Sequence, residues 1–251
     1  WNAIPPRADS EPMLCIFEWS TVRNRRVAAW VAVTFICTAS ALAQLEERAG
    51  SQLILTNAAA VHALSPEVSG QGLPVRLEGV VTHYHPRLSD GICFQDSTDG
   101  VYVSLGGLKP EVSVGDHVVI DGETSSGDYA PIVRLTRLQT LGRGELPKPE
   151  RVTAASLATG RYDSRRVEVR GIVRSVVPAQ RTTTAPAHLA MELRSDGNDL
   201  LVRVTEYHPA NTNLVDAEVI VRGIAAGVFN WQRQLLAPIV VAASDADVEV
   251  V

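Results

Sequence analysis

Polar and apolar residues alternate along most of this chain in short runs with a period of two, the signature of half-buried β-strands. In the clearest run Val75, Leu77 and Val81 fall on one face, and Arg76, Glu78, Thr82 and Tyr84 fall on the other. Five such runs, 75–83, 91–95, 101–105, 117–124 and 132–141, are separated by clusters of Gly, Asp, Ser and Pro. Five more follow at 166–177, 189–194, 200–205, 217–225 and 235–242. Helical periodicity is confined to two short stretches. Thr56 reads as the N-cap of a helix over 57–64 that Ser65-Pro66 ends, and 153–158 repeats the arrangement before the second set of strands.

The two sets are copies. Val75-Arg76-Leu77-Glu78-Gly79-Val80-Val81 returns 92 positions later as Val167-Glu168-Val169-Arg170-Gly171-Ile172-Val173. Val118-Val119-Ile120-Asp121-Gly122 returns after 101 as Val219-Ile220-Val221-Arg222-Gly223, and Ala-Pro-Ile-Val stands at 130–133 and 237–240. Five short strands per copy predict a small closed barrel, in which Gly79 and Gly171 let the first strand bend enough to serve both sides. The predicted fold class is all-β: two tandem five-stranded OB-fold-like barrels, each preceded by a short helix. The predicted organisation is upstream residues and a signal peptide over 1–43 (the peptide itself 13–43), a leader with a short helix over 44–72, a first barrel over 73–144, a linker and short helix over 145–158, and a second barrel over 159–251. Gly142 to Pro149, rich in Gly and Pro, marks the boundary.

Alternation assigns Ile92, Phe94, Val101 and Val103 to the first core and leaves Cys93, Gln95, Tyr102 and Ser104 outside, on the strand pair where OB-folds usually hold ligands. The front of the chain reads differently. Arg23, Arg25 and Arg26 precede a mostly apolar stretch and the small residues Ala41-Leu42-Ala43, which predicts a signal peptide cleaved before Gln44 and an extracytoplasmic location.

The formal net charge of the chain is −5. Residues 1–43 hold more basic than acidic groups, so their removal leaves the remainder more acidic still. That balance argues against nucleic acid as a partner. Cys15 and Cys37 precede the cleavage point, and Cys93 remains without a disulfide partner.

Leu55-Thr56-Asn57-Ala58-Ala59, Leu64-Ser65-Pro66-Glu67, Leu73 to Thr82, Phe94-Gln95-Asp96 with Gly100-Val101-Tyr102-Val103, and Val114-Gly115-Asp116 resemble the extracytoplasmic N-terminal region of certain bacterial sensor and hybrid histidine kinases. Leu157 to Val173 and Asn230 to Leu235 are similar to it as well, so the resemblance spans nearly all of 53–251. It implies a non-catalytic sensory or interaction module that precedes a transmembrane helix and a kinase. Neither follows before Val251, and the last residues read as part of a strand, which favours a fragment of a longer receptor. The alternative from another class is a freestanding periplasmic OB-fold protein that binds carbohydrate or oligonucleotide.

Chemistry-bearing motifs are sparse. His83 and His85 share a strand face, but no third ligand follows at a metal-site spacing, so ordinary histidines near a turn are the reading. Cys93 has no elbow or oxyanion loop around it, Asp96 and Asp99 bracket a turn, and no catalytic constellation, metal site or cofactor motif is predicted. Arg166, Arg170 and Arg203 read as a solvated sheet face. The candidates for contact with a small ligand or an extracytoplasmic protein domain are Tyr84, Gln95, Tyr102, Tyr129, Asn230, Trp231 and Arg233, with membrane association expected only through a missing C-terminal segment or an uncleaved signal.

Overall fold

The structure is a computed structural model that describes residues 54–85, 90–180, 187–208 and 212–251. The signal-peptide and cleavage expectations fall at positions 1–44, outside the described residues. Among the described residues no helix is long and apolar enough to cross a membrane.

Two short helices open the first half. Asn57, one residue later than expected, caps α1 (Ala58–His62) with its side-chain oxygen on the Ala60 N–H. That helix stops at His62 with Ala63 as its C-cap, short of Ser65-Pro66, which instead starts another: Ser65 caps α2 (Pro66–Ser69), with the proline in the first turn where its missing N–H costs nothing. The strands then run β1 (Pro74–Tyr84), β2 (Gly91–Gln95), β3 (Gly100–Ser104), β4 (Asp116–Ser125) and β5 (Ile132–Arg143). They close into a barrel of order β1-β2-β3-β5-β4 in which β3 and β5 are parallel and β4 pairs back to β1.

The second half repeats this plan. A short β6 (Glu150–Arg151) precedes α3 (Ala154–Leu157), which is held by a reciprocal Thr153–Ser156 capping box. Then come β7 (Arg166–Ala179), β8 (His188–Ser195), β9 (Asn198–Glu206), β10 (Glu218–Phe229) and β11 (Leu235–Ser244). β9 and β11 are parallel and β10 pairs with β7, so this sheet closes in the same order as the first. β12 (Val248–Val250) adds to β10. The fold is therefore two tandem OB-fold-like barrels.

The copies agree in fine detail. Leu55 bridges Val75 in parallel as Glu150 bridges Val167. A bulge follows the first-strand glycine in both: the register shifts between Val81 and His83 in β1, and between Val173 and Ser175 in β7. The N–H of Gly115 donates to the Val81 carbonyl at 2.8 Å, and that of Asp216 donates to the Val173 carbonyl at 2.9 Å. Both residues stand in the left-handed region, with φ of 86° and 64°.

A Cβ at Gly79 would lie 2.6 Å from the Gln95 carbonyl, and one at Gly171 would lie 2.9 Å from the Arg194 carbonyl. Close approach of the next strand is what requires glycine at both places.

Each barrel has its own core. Leu77, Val81, Ile92, Phe94, Val103 and Ile120 fill the first, with Ala58 and Val61 of α1 covering one end. Val169, Leu189, Met191, Leu193, Val204 and Val221 fill the second, with Leu157 of α3 alongside. Full burial of each large side chain contributes about 1.5–3 kcal/mol.

Candidate functional site

The two barrels pack against each other, and the contact decides which exposed-face residues meet solvent. Gly100, at the start of β3, has no side chain and so lets the Ser164–Arg165 backbone lie against it. Beside it Gln95 is 8 % exposed, and its side-chain oxygen accepts from the Arg166 N–H at 2.9 Å. Asp99 of the β2–β3 turn takes the His62 ring at 3.1 Å on one oxygen and the Arg165 guanidinium at 3.4 Å on the other. Arg165 also reaches Glu150 at 2.9 Å.

The hydrogen bond to Asp99 raises the His62 pKa against the opposing effect of burial. Burial pushes Asp99 upward, but the His62 ring, the Gly100 N–H and the Arg165 charge together hold its carboxyl below its ordinary value.

A second junction lies at the tips of the β4–β5 and β10–β11 hairpins. β10 continues through Gly227, Val228 and Phe229, beyond the position that matches the end of β4, and this arm lies over the first barrel. Phe229 stacks on Tyr129 with ring centroids 4.5 Å apart and planes 8° from parallel. The Arg233 guanidinium donates to the Ser126 carbonyl at 2.5 Å and the Tyr129 carbonyl at 3.3 Å.

Between the two junctions is a cleft of about 410 Å³. The first barrel contributes its outer face, with His83, Cys93 and Tyr102. The second contributes Asp163, Ser164, His188, Arg203 and Thr205, and Phe229 closes one side. Gly91 leaves room for the Tyr102 ring to lie across β2, where a Cβ would collide with it.

Burial pushes both the Cys93 thiol and the Tyr102 hydroxyl up to about 12. Cys93 is therefore a neutral thiol at physiological pH and a poor nucleophile. His83 is lowered by burial and by the neighbouring His85, and Asp163 is raised by burial. Arg203 has no hydrogen-bond or ion-pair partner among the described residues, so its charge is available to a ligand. No group of three or more His, Cys, Asp or Glu is placed to hold a metal among the described residues.

The contact candidates from the sequence divide sharply. Tyr102 lies on the cleft wall as alternation predicts. Tyr84 does not face outward, because the bulge after Val81 inserts a residue and reverses the phase. His83 turns to the cleft, and Tyr84 pairs with Ile92 and packs on the first core. Thr82, also expected outside, is buried for the same reason.

Gln95 and Arg233 are spent on barrel-to-barrel contacts, while Tyr129 both stacks on Phe229 at the junction and lines the cleft. Asn230 organises its turn, accepting from the Gln232 and Gln234 N–H groups at 3.0 and 2.9 Å. Trp231 is 89 % exposed and plugs nothing. Of the three arginines read as a solvated face, Arg170 pairs with Glu218 at 2.8 and 2.9 Å, and Arg166 donates to the Pro147 carbonyl at 3.0 Å. Sequence reading missed His83, Asp163, Ser164, His188 and Phe229 as members of one site, since they come together only when the barrels dock.

No family model and no curated protein matches the chain. Among solved structures it is similar to the telomere capping protein Ten1 from Saccharomyces pombe, at 16% identity over 36% of this chain and 81% of that one, with a TM-score of 0.27. It is also similar to the Ifi202 HINa domain in complex with double-stranded DNA, at 11% identity over 68% and 91%, TM-score 0.31. A third is a replication protein A heterotrimer bound to single-stranded DNA, at 13% identity over 67% and 47%, TM-score 0.28. Likeness at this level bears on fold alone.

These findings correct the resemblance to sensor histidine kinases. Nothing matched by family model or curated protein supports it, and the similar structures named here are telomere-capping, HIN-domain and replication proteins rather than kinase sensors. The periplasmic sensory role falls with it, the freestanding periplasmic alternative gains no support from any match, and the signal-peptide reading lies outside the described residues. The argument against nucleic acid from net charge is withdrawn too, because a charge summed over the whole chain does not describe a local surface, and Arg203 on the cleft wall has no partner among the described residues.

Proposed function

We propose that this chain is a non-catalytic binding module that holds a base of a single-stranded nucleic acid in the cleft between its barrels. The observation that carries the reading is the make-up of the cleft. The outer face of β2 and β3, the usual ligand platform of an OB-fold, presents the Tyr102 ring, and the second barrel faces it with Arg203 and hydrogen-bonding side chains. A flat aromatic wall suits any base, because every base has a π-face. Of the polar side chains along the second barrel's wall, Arg203 has no partner among the described residues and can reach a base edge, whereas the Ser164 hydroxyl donates to Asp163 at 3.2 Å. The cleft volume of about 410 Å³ falls in the range of small-ligand sites.

With a net charge of −5 the chain has no long-range pull on phosphates, and Arg203 is the one cation of the wall with no partner among the described residues. Stacking must then supply most of the affinity, so binding should be weak and only slightly sensitive to salt, with a slope corresponding to about one or two released counterions.

Titration of the full chain with single-stranded oligonucleotides of about eight to ten nucleotides, a span within OB-fold site sizes, tests this. Binding should weaken on Tyr102→Ala by about 1–3 kcal/mol, the value of one stacked base. No binding at millimolar protein, or a Tyr102→Ala chain that binds as well as wild type, would refute the reading.

A further inference from the structure

The hairpin turn 230–234 raises a question that the cleft does not answer: why a tryptophan stands 89 % exposed at its tip. The turn beneath it is fixed from both sides. Within the turn, the Asn230 side chain accepts from the Gln232 and Gln234 N–H groups and donates to the Gln234 side chain at 2.8 Å. Backbone bonds join Asn230 and Gln234 at 3.1 Å and Arg233 and Asn230 at 3.0 Å. On the other side, Arg233 is tied to two carbonyls of the first barrel, and Phe229 is stacked on Tyr129. The indole is thus presented by an immobilised support, and ordering it for a ligand costs little.

Its position is the second observation. Trp231 borders a surface hollow that shares Gly127, Asp128 and Phe229 with the cleft, so the two cavities adjoin across one wall. The hollow holds no cation free for a phosphate, since Arg233 is committed to carbonyls and Asp128 is acidic. A group that stacks on Trp231 is therefore recognised by its flat face.

Building on the base-binding reading above, we propose that cleft and hairpin form one path for two adjacent bases of the same strand, the first against Tyr102 inside the cleft and the second against Trp231 at its mouth. Base-on-aromatic stacking is sequence-tolerant, so the path takes any two bases and discriminates by length.

Comparison of thymidine monophosphate with the thymidine dinucleotide, titrated calorimetrically into the full chain, tests this. The dinucleotide should bind wild type about tenfold tighter, the gain expected from one added stacked base. Trp231→Ala should bring that ratio to about one, and Trp231→Phe should restore part of it. The thermal midpoint should stay at the wild-type value, since the side chain lies in solvent. Tyr102→Ala should weaken both ligands. A wild-type ratio near one, or a tenfold ratio that persists in Trp231→Ala, would overturn the two-base path while leaving the cleft reading standing. Failure of both ligands and of the longer oligonucleotides to bind wild type would overturn the cleft reading, and the path with it.

Discussion

The two barrels share a topology, a bulge, a left-handed turn position and a preceding helix, yet they face the cleft in different ways. The first barrel gives it the outer surface of its second and third strands, ending in the Tyr102 ring. The second barrel gives it an edge: Asp163 and Ser164 ahead of β7, Arg203 and Thr205 on β9, and the lengthened β10 arm. Equivalent places carry different residues, since pairing sets Val103 opposite Val133 as it sets Val202 opposite Val240, and so aligns Tyr102 with Leu201. Leu201 is 40 % exposed and does not line the cleft. One fold used twice thus supplies one platform and one cover, and the difference lies in surface residues and one hairpin.

The largest expected effects test whether the cores are equivalent. Phe94 and Leu193 are fully buried in the first and second core respectively. Phe94→Ala should cost about 3–5 kcal/mol and Leu193→Ala about 2–5 kcal/mol, through lost burial and the cavity left behind. Chemical denaturation measures both; a loss below about 1 kcal/mol for either would remove that residue from its core.

Next in size is the junction that orients platform and cover. Asp99→Ala removes the His62 partner and one of the two carboxylates that hold Arg165, and should destabilise by about 2 kcal/mol, the scale of hydrogen bonds to charged groups. The same junction predicts a pH dependence. His62 is raised from 6.5, so its contribution is complete below that value and fades as pH rises through the folded pKa. Asp99 is lowered from 3.8, so its contribution is complete above that value and fades as pH falls through the folded pKa. Both act fully only between 3.8 and 6.5. Thermal midpoints across pH 3–9 should show this window, and His62→Asn should flatten its alkaline side. An unaltered alkaline limb in that variant would assign the pH dependence to other groups.

Gln95→Ala should cost about 1 kcal/mol, because it leaves the Arg166 N–H without its inter-barrel acceptor. Solvent exchange of that amide, followed by NMR, should quicken in the variant; unchanged protection would mean that the barrels do not depend on this contact.

The smallest effects concern the matched left-handed positions. Gly115→Asp should destabilise by about 1 kcal/mol, since an L-residue there takes on the cost of positive φ. Asp216→Gly should fall within about 0.5 kcal/mol of wild type, as strain relief and added freedom of the unfolded chain oppose each other. Equal and opposite changes would show that the two turns are interchangeable.

Period-two alternation and the internal repeat determined most of the architecture from sequence alone: ten strands, their ends within a few residues, two short helices and the closed five-strand plan, because burial on one face leaves its mark residue by residue. Local chemistry also marked Tyr102 as outward and Gly79 and Gly171 as special. Tertiary structure decided the rest. The bulge after Val81 reversed the faces of His83 and Tyr84, since one inserted residue changes strand phase without changing composition. Docking of the barrels turned Gln95, Tyr129 and Arg233 from exposed candidates into joints, and gathered His83, Asp163, Ser164, His188 and Arg203 around one cleft. Those residues stand up to 120 positions apart, between His83 and Arg203. Alternation reports only whether a side chain leaves its own barrel, and what it meets beyond is set by how two surfaces fit.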